Sequence, residues 1–161
     1  MGIDPVIQET TDFDWFGVDA EGFIGHFTHA GFKRLPASVA SSAEDLKFVS
    51  EYFQKHAAVR GAHLVDETSL SSALNRQWRG EREETRYLRD FVAMADRGLF
   101  SFDIDSYLTP GIAYFRVACP LSPITVEQLP EEIRQVLART RLAGMQLRHH
   151  SRIPYDLTLK M

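Results

Sequence analysis

Residues 12–36 read DFDWFGVDAEGFIGHFTHAGFKRLP. Trp15, Phe16 and Val18 favour strand, Asp19, Ala20, Glu21 and Gly22 supply turn chemistry, and Phe23, Ile24 and Phe27 resume the strand. The stretch predicts a β-hairpin and sets the architecture as at least half sheet. Outward from it, Pro36 and its small neighbours close the second strand into a loop. Ser42 is placed as an N-cap with Glu44 and Asp45 in the first turn, where the helix dipole favours negative charge. Leu46, Val49 and Phe53 follow at helical spacing, predicting a helix from Ala43 to His56.

Residues 58–80 give no clear pattern, beyond a short strand within Val59–Val65. Ser72 to Arg97 is helical in pattern with a break at Gly80, and Gly98 is placed to end it in a left-handed cap. Leu99–Asp105 and Ile112–Cys119 read as strands, joined by a loop at Tyr107–Gly111 too short for a helical crossover. A helix is expected from Glu131 to Leu142, started by Pro130, and a last strand at Met145–His149. Strands and helices do not alternate regularly. The expectation is one α+β domain over residues 1–161, with a mainly antiparallel sheet packed by helices.

The chain has 161 residues, enough to support its own core. Its 44% hydrophobic and 25% charged content is that of a folded globular protein, which argues against disorder. A net charge of −4 disfavours nucleic acid, which needs a basic surface. The single cysteine, Cys119, cannot make an internal disulfide, and no apolar run or basic-apolar leader is present; a cytoplasmic location and no membrane are expected.

No motif assembles a nucleophile with a base, so no catalytic residue is assigned and a non-enzyme is favoured. His26 and His29 fall on opposite strand faces, and His149 and His150 are adjacent; neither spacing fits a metal site, so no metal or other cofactor is expected. These imidazoles are read as surface or partly buried. Arg76, Arg79, Arg82, Arg86 and Arg89 recur at helical spacing, but interleaved Glu81, Glu83, Glu84 and Asp90 make a solvated, salt-bridged face the better reading. Trp78 is assigned to packing. Phe16, Val18, Phe102, Ile104, Phe115 and Val117 are the expected core. Asp103 and Asp105 alternate with that core and so are expected to face outward, as are Asp19 and Glu21 at the hairpin turn. With Trp15 as an aromatic anchor, Trp15, Asp19, Glu21, Asp103 and Asp105 form the expected partner-binding set, suited to a basic protein.

The blocks DWFGVDAEGFIGHF (Asp14–Phe27) with Leu35 and Pro36, GLFSFDID (Gly98–Asp105), YFRVACP (Tyr114–Pro120) and LPEEIRQVL (Leu129–Leu137) resemble a group of small, little-characterised bacterial proteins. Some of these accompany secreted or polymorphic toxins as immunity-type partners. Residues 58–79 lie outside the resemblance. The resemblance carries over no active-site residue and implies a cytoplasmic protein that binds another protein, such as a toxin domain. Two other readings stay open: a small-molecule-binding domain or enzyme with its pocket between sheet and helices, and a structural subunit acting as a homo-oligomer.

Overall fold

The computed structural model describes residues 1–31, 33–74, 80–105 and 112–161. The expected loop at Tyr107–Gly111, together with Trp78, Arg76 and Arg79, lies outside them. The hairpin forms as read: β1 (Phe13–Asp19) pairs antiparallel with β2 (Ile24–His29), placing Trp15 opposite Phe27, Phe16 opposite His26 and Val18 opposite Ile24. The turn works because Asp19 Oδ1 accepts the main-chain N–H groups of Glu21 and Phe23, each at 2.9 Å, and because Gly22 takes φ +88°, a left-handed conformation that costs a glycine little.

The chain then runs through α2 (Ala37–Ala40) and α3 (Ala43–Glu51). Ser42 caps α3 by accepting the Asp45 N–H at 3.1 Å. The helical run continues to His56, but its last turn, Tyr52–His56, widens to a π-helix. β3 (His63–Val65), α4 (Glu67–Leu74) and α5 (Glu81–Asp96) follow. Gly98 (φ +94°) turns the chain out of α5 into β4 (Phe100–Ile104), as its position predicts. β4 pairs antiparallel with β5 (Ala113–Pro120), and β3 pairs with the far end of β5.

The class is α+β, but the sheet is mixed. Its order is β3-β5-β4-β2-β1-β6, where β6 is Arg141–Leu142, with β7 (Arg152–Pro154) also paired to β5. β4 joins the hairpin by running parallel to β2, with His26 beside Ser101 and Phe27 beside Phe102. The expected antiparallel union of hairpin and later strands is therefore corrected at this seam. The reason is the connection: four helices, α2 to α5, separate β2 from β4, ample for a crossover. A second parallel pair arises where a continuous helix was expected. After a short 3₁₀ turn at Val126–Gln128, α6 (Glu131–Leu137) stops early, and β6 (Arg141–Leu142) lies parallel to Val18 and Asp19. Met145–His149 is not a strand; the last strand is β7 (Arg152–Pro154), leading into α7 (Tyr155–Thr158).

Both faces of the sheet are covered. On one, Trp15, Phe27, Phe102 and Tyr114 pack against Leu35, Val39, Leu147 and Tyr155. On the other, Phe16, Val18 and Ile24 meet Val49, Phe53, Met94 and Leu137, while Phe115 and Val117 meet Phe91 and Ala95 of α5. All six expected core residues are buried. At about 25 cal/mol per Å² of apolar surface, each of these side chains contributes on the order of 1.5–3 kcal/mol. A sheet sandwiched in this way leaves little solvent face, and that decides where the polar strand residues go. Among the described residues, no helix is long and apolar enough to cross a membrane.

Candidate functional site

The covered sheet overturns the outward placement of the expected partner-binding residues. Trp15 is 0% exposed. Its ring stacks on Phe27 with centroids 4.1 Å apart, and its indole N–H donates to the Tyr114 hydroxyl at 3.1 Å. Asp19 is 2% exposed. Besides the two turn N–H groups, its Oδ2 accepts the Leu147 N–H at 2.8 Å, so this carboxylate clips the hairpin turn to the C-terminal segment. Asp105, 4% exposed, pairs with Arg152 Nη2 at 2.7 Å. Asp103 is half-buried beneath α5: Tyr87 donates its hydroxyl to Oδ2 at 2.7 Å, and the Ile104 N–H donates to Oδ1 at 2.8 Å. Burial pushes the Asp103 carboxyl up to about 6 against the lowering effect of those bonds. Glu21 alone of the five is exposed, and it faces Arg148 at 3.5 Å. The five do not converge. Asp19 and Glu21 sit at the hairpin turn, whereas the pairing of Phe27 with Phe102 puts Asp103 and Asp105 at the hairpin's open end.

The histidines of β2 are corrected in the same way: His26 is 1% and His29 0% exposed. On the first face, His29 Nδ1 lies 3.1 Å from the Tyr114 hydroxyl and Nε2 lies 2.5 Å from the Lys33 carbonyl. Burial lowers the pKa of this imidazole, with the Lys33 carbonyl and Asp12 pulling the other way. On the opposite face, His26 Nδ1 meets Ser101 Oγ at 2.7 Å, and Nε2 lies 3.5 Å from Asp14 Oδ2, beyond a direct hydrogen bond. This Ser–His–Asp order resembles a hydrolytic triad in kind but not in access, since Ser101 is fully enclosed. Cys119 is half-buried and burial raises its pKa, an environment for an unreactive thiol.

The open geometry lies at the other end of β1, in residues outside the expected set. α1 (Pro5–Gln8), capped by Asp4, stands across from α3, and a cleft of about 800 Å³ opens between them over the start of β1. Its apolar lining includes Ile7, Phe13 and Leu46; Asp4, Asp12, Asp14 and Glu44 set its charge, opposed by Lys47 and by the Met1 ammonium, which pairs with Glu44 at 2.6 Å. Four carboxylates against two cations leave it net acidic. Asp14 is central. Burial works against its ionisation, but His26 and the Thr28 hydroxyl outweigh burial and hold its carboxyl below the ordinary value, so it presents a charge. A second cleft of about 370 Å³ shares Asp14 and Gln54 with the first and adds Asp90 of α5 and Arg97, its C-cap. Arg97 donates Nη1 to the Ala93 carbonyl, while its Nε is buried without a partner. Gln54, common to both clefts, lies in the π-helical turn; such turns recur at functional sites.

Asp4 followed by Pro5 is a helix-start signal that could have located α1 from the sequence. Nothing local marks its meeting with α3. The chain matches no family model, no curated protein and no solved structure.

Proposed function

We propose that the chain is a non-enzymatic binding protein that holds a basic segment of another protein in the cleft between α1 and α3. One observation carries the reading: an open groove of about 800 Å³ whose apolar lining is rimmed by Asp4, Asp12, Asp14 and Glu44. Apolar area supplies affinity, and the carboxylates steer a cationic partner and select its sign. The resemblance of the strand blocks to immunity-type proteins supports a toxin domain as that partner. The partner surface thus moves from the five residues first expected to the neighbouring aspartates, with Glu21 left as an outlying exposed acid.

The test is a labelled synthetic peptide alternating lysine and valine, set against its glutamate-valine counterpart. The lysine peptide binds, binding weakens as salt rises, and Glu44→Gln weakens it further. Equal binding of both peptides, or of neither, would overturn the reading.

The second cleft favours one alternative, a small polar ligand between sheet and helices. Its volume of about 370 Å³ falls in the range of small-molecule pockets, and Asp90 and Arg97 line it with opposite charges. A compound whose binding is abolished by Gln54→Ala, but untouched by Glu44→Gln, would favour this alternative.

A further inference from the structure

β1 has an incomplete outer edge. β6 covers it only at Val18 and Asp19, and among the described residues no strand pairs with β1 before Val18 on that side. The Val18 N–H donates outward to the Thr140 carbonyl, whereas the Asp19 N–H donates inward to Phe23. Main-chain direction alternates along an antiparallel strand, so the N–H and C=O groups of Asp14 and Phe16 point away from β2. Phe16 borders a small space of about 30 Å³ lined by α2, α3 and α6, too small for a peptide strand. Asp14 borders the large acidic cleft. The unpaired edge and the groove therefore coincide at Asp14.

We propose that the basic segment enters this cleft in extended form and adds to the sheet as a short strand along the outer edge of β1 at its start, Phe13 and Asp14. The inference rests on the groove reading above and gives the occupant a conformation. The fold already extends its sheet in units of this size: β3 and β7 are three residues long and β6 two. Side-chain alternation then sets the occupant's pattern. Phe13 packs on the Trp15 face of β1 and Asp14 faces His26 on the other, so the matching segment alternates apolar residues with Lys or Arg. The Asp14 charge on this edge also discourages pairing with a second copy. Strand addition draws affinity from main-chain hydrogen bonds and specificity from alternate side chains.

The experiment compares the lysine-valine peptide with two versions carrying backbone N-methyl groups, one at the lysines and one at the valines. N-methylation removes main-chain donors and leaves side-chain charge intact. Strand addition presents only one set of N–H groups to Asp14, so one version loses about tenfold or more in affinity and the other much less. If both methylated peptides bind like the parent, strand addition is wrong while the groove reading stands. If both lose equally, main-chain pairing at a single edge is also ruled out. If the parent itself does not bind, the groove reading fails and this inference falls with it.

Discussion

Each end of β1 carries an aspartate, Asp14 near the start and Asp19 at the turn, and the two behave in opposite ways. At the turn end, Asp19 accepts three main-chain N–H groups, from Glu21, Phe23 and Leu147, and is buried; β6 seals the strand's edge there. At the start, Asp14 has a facing imidazole and a hydroxyl, an open cleft and an unsealed edge. The contrast shows that what a strand carboxylate does depends on how many fixed donors reach it. Saturated, it becomes part of the scaffold; partly supplied and facing solvent, it keeps a charge available for a partner.

The sharpest way to break the contrast is at the saturated end. Asp19→Ala strands three N–H donors that lie in or near the core, at about 1–3 kcal/mol each, so a loss of about 3–5 kcal/mol is expected in denaturant melts. Asp14→Asn, keeping its shape and an acceptor, costs about 1 kcal/mol or less by the same measurement. Equal losses would erase the distinction between the two ends. Phe102→Ala, removing a buried ring stacked on Phe27 at 5.0 Å between centroids, gives a scale for comparison at about 3–5 kcal/mol.

Asp103 offers a test by pH. Its folded pKa of about 6 lies above the ordinary 3.8, so the folded chain holds this proton more tightly than the unfolded one. Its contribution to stability is full below about pH 4 and is lost as pH rises through about 6, on the order of 3 kcal/mol. His29, with its lowered pKa, acts in the opposite sense as pH falls through its ordinary 6.5, so the readout is the difference from a variant. Asp103→Asn should flatten the wild-type decline between pH 4 and 6. An unchanged profile would place Asp103 in a solvated setting. A smaller effect belongs to Glu21→Gln: an exposed acid paired at 3.5 Å should change stability by less than about 1 kcal/mol.

The hairpin, the Ser42 cap, the Gly98 stop and the β4–β5 pair were all legible, because each is written in neighbouring residues: period, cap or short connection. The parallel seam of β2 with β4 was not, since no local pattern encodes a pairing made across four helices. Alternation in Phe100–Asp105 correctly separates two faces, yet it cannot say that helix α5 covers the polar one. That is why Asp103 and Asp105 read as outward. The Asp19 turn was visible, while its bond to Leu147 spans 128 positions. The cleft was hidden for the same reason: Asp4, Asp14 and Glu44 meet only when α1 and α3 fold over β1.

The most direct test of the open end of β1 is amide exchange measured residue by residue, first alone and then with the lysine-valine peptide. The Val18 amide, bonded to the Thr140 carbonyl, is expected to exchange slowly throughout. The Asp14 amide exchanges quickly in the free chain and slows by about tenfold or more when the peptide is bound. An Asp14 amide already as protected as Val18 in the free chain, or one that the bound peptide leaves unchanged, would contradict this expectation.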